Sequence, residues 1–133
     1  MNRELIVKSK GNSYTVSFPT AGQYKNIEVY KSILTKNQYG SMSTNFTNQS
    51  IRTLDMVDAI AYITILMPDF VNDSKVNDLE ELDIMDMMDL MDEVYVKQLK
   101  PFIDGWEKIL SERSKKSNNE TKKKEASPES SSE

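Results

Sequence analysis

Residues 51–67 read IRTLDMVDAIAYITILM, the most hydrophobic run of the chain. Leu54, Val57, Ile60, Ala61, Ile65 and Leu66 recur at helical intervals, with Met56, Tyr62 and Ile63 on a second side. The segment is expected to be the central helix of the fold, ended by Pro68, whose ring and missing N–H break the helical ladder. Before it, Gln38 to Ser50 is rich in Asn, Ser, Thr and Gly, and its large apolar residues are Tyr39, Met42 and Phe46. That composition predicts an irregular loop pinned by those three side chains to the core or to a partner.

Further towards the N-terminus, a helix is expected over about 21–35, with Thr20 as its cap, Ile27, Tyr30, Ile33 and Leu34 on one face, and the Lys36-Asn37 step as its end. Arg3–Lys8 and Ser13–Phe18 alternate as strands do. Ser9-Lys10-Gly11-Asn12 between them holds the glycine of a tight turn, so residues 3–18 read as a β-hairpin. Leu5 and Val7 share one face of its first strand, and Tyr14, Val16 and Phe18 one face of its second. A lone pair of strands needs cover, so an oligomer formed through its edge is expected.

On the other side of Pro68, Asp69–Asn77 is a polar connection with Phe70 and Val71 as anchors. DIMDMMDLMDE, residues 83–93, comes next and opens a helix over about 83–99, capped near Asp78 or Asp83. Its aspartates 83, 86, 89 and 92 advance by about 300° per step and spread over one side, as a solvated face does. A last helix over about 101–112 starts at Pro101 and carries Phe102, Ile103, Trp106, Ile109 and Leu110, with Trp106 as a packing anchor. Residues 113–133 hold one hydrophobic residue, Ala126. A segment that buries so little apolar surface does not offset its chain entropy, and a disordered polar tail is expected. The fold class is therefore α+β, a single domain over residues 1–112 with an N-terminal hairpin on about four helices.

Chemistry is bounded by what is absent. The chain has no histidine and no cysteine. That removes the commonest general base, the thiol nucleophile, disulfides and cysteine-type zinc sites. The acidic ladder lacks the glycine and terminal glutamate of a calcium loop, and the four glycines form no phosphate-binding loop. No catalytic residue, metal ligand or cofactor site is expected, and the chain does not read as an enzyme. Without an export signal or a membrane-length apolar run, a soluble intracellular protein is expected, and three N-glycosylation matches count as chance.

Charge is uneven along the chain. Residues 1–50 carry six Lys/Arg against two Asp/Glu, residues 51–112 five against fifteen, and residues 113–133 six against four. The acidic middle repels phosphates, so nucleic-acid binding by the folded part is not expected, while a basic partner or a second copy would be attracted. Methionine adds a second cue. Met85, Met87, Met88 and Met91 are half of the eight methionines, and such side chains either fill a core or form a surface that repacks against differently shaped partners. On the second reading Met85, Met88, Met91 and Tyr95, with Tyr39, Met42 and Phe46 in the loop, are the candidate protein-binding residues.

In the order of its elements the chain resembles the tail assembly chaperones of long-tailed bacteriophages. The hairpin ends in SFPTAGQYKNIEVYKSILT, the central helix is LDMVDAIAYITILMPDF, the acidic helix LDIMDMMDLMDEVYVKQLKPF, and a polar tail closes the chain. The likeness lies in layout over residues 1–112 and brings no catalytic or ligand residues with it. It implies a homo-oligomeric, non-catalytic protein of the host cell cytoplasm. Its role would be to coat the tape measure protein until tail tube subunits polymerise. In many such phages the chaperone gene ends beside a ribosomal frameshift, and Lys122-Lys123-Lys124 would suit a slippery run of adenines. Two other classes fit the same composition: a minor virion component such as a head-tail adaptor, and an acidic DNA-mimic inhibitor.

Overall fold

The structure is a computed structural model that describes residues 2–44 and 47–115. It divides into two units, Met1–Lys100 and Pro101–Glu133. The expected polar tail lies outside the described residues apart from residues 113–115, which continue a helix over residues 101–115.

Alternating apolar residues set the hairpin. β1 (Glu4–Ser9) and β2 (Asn12–Ser17) pair antiparallel with Leu5 opposite Val16 and Val7 opposite Tyr14. Because opposite residues share a face, these four form one apolar patch, and Val7 and Val16 are fully buried. The two-residue connection places Lys10 at φ 49° and Gly11 at φ 80°, the left-handed pair that suits the twist of a tight hairpin.

α1 (Ala21–Leu34) begins with a reciprocal cap: Thr20 Oγ1 accepts from the Gln23 N–H, and Gln23 Oε1 accepts from the Thr20 N–H. Lys36 and Asn37 turn left-handed to end it. The expected loop over 38–50 is a correction: Tyr39–Thr44 is a short helix, α2, and α3 (Asn48–Leu66) starts before Ile51. The cause is a second reciprocal cap, Thr47 with Ser50, which satisfies free N–H groups at the start of α3. α3 is central as expected, with Leu54, Val57, Ile60, Tyr62, Ile63 and Leu66 among its buried residues.

Pro68 stops α3 and serves as the first residue of α4 (Pro68–Asp73). Phe70 of α4 is buried and meets the Tyr14 ring edge-on, 5.4 Å between centroids. A 3₁₀ turn, Leu79–Glu81, is capped by Asp78, and α5 (Ile84–Leu90) is capped by Asp83. The methionine helix then changes register: Met91–Leu99 is a π-helix, closed by Lys100 N–H donating to the Tyr95 carbonyl five residues back. Sequence periodicity does not distinguish this from an α-helix. The wider turn reorients the end of the helix, and Gln98 meets β1. The Gln98 carboxamide accepts from the Lys8 N–H at 2.8 Å and donates to the Lys8 carbonyl at 2.8 Å and the Glu93 carbonyl at 2.9 Å.

In the second unit, helix 101–115 buries Phe102, Ile103 and Trp106, and the Phe102 and Trp106 rings meet edge-on at 5.5 Å. Trp106 is the packing residue its spacing implies. Among the described residues no helix is long and apolar enough to cross a membrane.

A Cβ at Gly11 would meet nothing within 4 Å, so Gly11→Ala changes only the backbone energy of a left-handed residue. The expected cost is about 1 kcal/mol, read from the urea unfolding midpoint, with native far-ultraviolet circular dichroism.

Candidate functional site

The methionine helix carries two environments. Met87 is 3% exposed, Met91 6% and Tyr95 3%, whereas Ile84 is 58% exposed and Met85 67%. Met88 is half-buried between the two groups. The apolar stripe that is interior at Met91 thus runs out of cover at the start of α5. Ile84, Met85 and Met88 form an apolar surface edge beside Asp86, Asp89 and Asp92, all exposed. Ion pairs among the described residues join Lys31 to Glu28 and Asp58, so the aspartate ladder stands without a cation. It is the solvated face its spacing predicts.

Of the sequence-based candidates on this helix, Met85 is exposed and Met88 half-buried. Met91 and Tyr95 are corrections, because a side chain closed off from solvent offers no contact area. The loop candidates also separate. Met42 is half-buried on α2 and Tyr39 turns inward, while Phe46 lies outside the described residues.

Tyr39 joins a polar cluster that the sequence reading did not find. Lys31 of α1 is 7% exposed. Its ammonium lies 3.3 Å from Glu28 Oε1 and 3.6 Å from Asp58 Oδ1, and donates to the Tyr62 hydroxyl at 3.4 Å. The Tyr39 hydroxyl donates to Asp58 Oδ1 at 2.8 Å. Lys31 Nζ also sits over two rings, 4.7 Å from the centroid of Tyr62 and 5.4 Å from that of Tyr39. Tyr62 in turn stacks on Tyr95 at 6.5 Å. Tyr39 and Tyr95 are therefore linked through the interior and not across a surface.

Ile33, expected on one face with Ile27, lies outside the packed side of α1. Ile33 is 69% exposed, and Lys31 takes the buried place on α1 with Ile27. The signal for this was present in the spacing. Lys31 comes four residues after Ile27, and Asp58 four after Leu54 within the most apolar helix, so each charge sits in a core register.

Burial pulls the Lys31 ammonium down, but Asp58, Tyr62, Tyr39 and Glu28 outweigh it and hold its pKa above the ordinary lysine value. Burial, then the Asp58 charge and hydrogen bond, raise the Tyr39 phenol. Burial also raises the Asp58 carboxyl, against the lowering influence of Lys31 and Tyr39. The cluster is a charged strut held by hydrogen bonds between α1, α2 and α3. Among the described residues no group of histidine, cysteine or carboxylate side chains is placed to hold a metal ion. No protein-family model, curated protein or solved structure matches the chain.

Removing one partner of a buried pair strands the other, so Lys31→Met and Asp58→Asn are each expected to cost about 3 kcal/mol. The double variant should cost at least about 1 kcal/mol less than their sum, as measured by a double-mutant cycle of unfolding midpoints.

Two groups of the cluster, Lys31 and Tyr39, contribute to stability at alkaline pH. Lys31 and Tyr39 both have folded pKa values above their ordinary 10.5 and 10.0. Their contribution is complete below those values and is lost as pH rises from there through the folded values. Stability should therefore fall above about pH 10, and less steeply in Lys31→Met/Tyr39→Phe, measured by denaturant titration at each pH.

Proposed function

We propose that the chain is a non-catalytic binding protein of the tail assembly chaperone type, which keeps a long helical client soluble by covering its apolar stripe. The observation that carries this reading is the uncovered start of α5, where Ile84 and Met85 stand in solvent next to half-buried Met88. Two large apolar side chains on one turn, bordered by carboxylates, suit the helix-in-groove mode of recognition, and the flexible methionine accommodates the uneven ridges of a helix. The aspartate ladder favours clients with lysine or arginine beside the apolar stripe. Each contact is small, and many copies bound along one long client would act together through their high local concentration.

By the resemblance in layout, the client is a phage tape measure protein, with tail tube protein as the component that later displaces the chaperone. The acting compartment is then the host cytoplasm, and the mature particle does not contain the chain. No nucleic-acid partner, membrane contact or cofactor enters this reading.

Met85→Asp tests it without touching the interior. Co-expressed with the tape measure protein of the same phage genome, the native chain should keep the client in the soluble fraction. Met85→Asp, with an unchanged melting curve, should bind about tenfold more weakly, as expected for the loss of one buried methionine against a new charge. Undiminished client solubility with this variant would reject the α5 surface. Recovery of the chain from purified virions would reject the chaperone reading in favour of a structural component.

A further inference from the structure

The two edges of the hairpin are treated differently. In an antiparallel pair, backbone groups point alternately at the partner strand and away from it. Phe18 N–H donates to the Arg3 carbonyl at 2.9 Å, which fixes the alternation: Leu5 with Val16 and Val7 with Tyr14 bond inwards, while Glu4, Ile6 and Lys8 point outwards from β1 and Ser13, Thr15 and Ser17 from β2. On β1 half of these outward groups are occupied. Lys8 is held on both its N–H and its carbonyl by Gln98, and the Glu4 N–H donates to Asn2 Oδ1 at 3.1 Å. β1 also carries charges, Glu4 and Lys8, as protected edges do.

β2 has neither protection. Its sequence, NSYTVS, contains no charged residue and no proline, and Ser13, Thr15 and Ser17 are exposed. Among the described residues no side chain or backbone group meets their outward N–H and carbonyl groups. A neutral open edge of six residues is a template for another strand.

We infer that a second copy of this chain pairs antiparallel with β2 along this edge, with Thr15 opposite Thr15 of the second copy, giving a four-stranded sheet. The strand is complementary to itself in that register. Ser13 falls opposite Ser17 and Thr15 opposite Thr15 on the solvent face, pairs that hydrogen-bond, and Tyr14 falls opposite Val16 on the apolar face. With no charge on the strand, identical copies do not repel. The acids nearby favour the antiparallel sense. Asp69 and Asp73 line an open recess with Asn12, Ser13 and Tyr14 at one end of β2, and antiparallel pairing carries the two copies' recesses to opposite ends. The two-fold arrangement is closed because it uses the β2 edge of both copies, and on the other edge of each hairpin Gln98 occupies Lys8.

The pairing is independent of any client and is tested on the full chain alone. Light scattering after size exclusion, over a concentration series, should show a monomer–dimer equilibrium. Thr15→Pro removes an N–H that β1 does not use, and Thr15→Lys sets like charges opposite each other. Both should raise the dimer dissociation constant at least tenfold with unchanged circular dichroism, while Ile6→Lys on β1 leaves it unchanged. The chain has no cysteine, so Thr15→Cys should oxidise to a covalent dimer that reports this contact alone. A chain monomeric at every concentration would overturn the inference, as would a dimer that persists in both Thr15→Pro and Thr15→Lys or that Thr15→Cys fails to cross-link.

Discussion

A lysine ammonium closed off from water is tolerated only where its charge is met, and Lys31 makes that requirement the organising constraint of the first unit. Its partners come from three helices: Glu28 of α1, Tyr39 of α2, and Asp58 and Tyr62 of α3. Hydrophobic burial alone would let α1 slide or roll on α3 at small cost, because apolar contact has no direction. The Lys31–Asp58 pair has direction and fixes one register. It also explains α2, a six-residue helix without a buried residue. Such a segment is too short to be stable from helix propensity, and the Tyr39 hydroxyl on Asp58 ties its first residue to the central helix.

The π-helix answers a comparable problem at the hairpin. A two-stranded sheet has two edges and gains little stability by itself. The change of register after Leu90 brings Gln98 to β1, where one carboxamide takes both backbone groups of Lys8 and also a carbonyl of its own helix. A side-chain amide has the donor and acceptor of a peptide group and stands in for a third strand at one residue. The irregular helix is therefore explained by the strand edge it covers, and it leaves the two edges of the hairpin unequal.

Much of the fold was legible because it depends on local rules. The hairpin turn needs a glycine, α1 needs Thr20, α3 ends at a proline, and α5 starts at an aspartate; each of these is written in one or two residues. What was not legible depends on tertiary partners. Met91 and Tyr95 belong to the same stripe as Met88, and nothing in their spacing tells which end of the helix is covered. Ile33 against Lys31 is harder still, since placing the lysine inside is favourable only when Asp58, four residues after Leu54 on another helix, is there to meet it. The Thr47–Ser50 cap was readable in principle, but in a stretch crowded with Asn, Ser and Thr it does not stand out from a loop.

The division of the methionine helix also bears on what kind of binding surface this chain offers. A methionine face exposed along its whole length would be a hazard to the protein that carries it, attracting copies of itself as readily as a client. Here the buried part, Met87 and Met91, anchors the helix, and the methionine side chain left exposed is Met85 at its start, beside Ile84. The carboxylates beside it carry like charge on every copy, so two such patches repel while a basic apolar helix is drawn in. On the proposed function and the inferred β2 pairing, copies meet through the neutral edge of β2 and a client through the acidic end of α5, so that neither contact competes with the other.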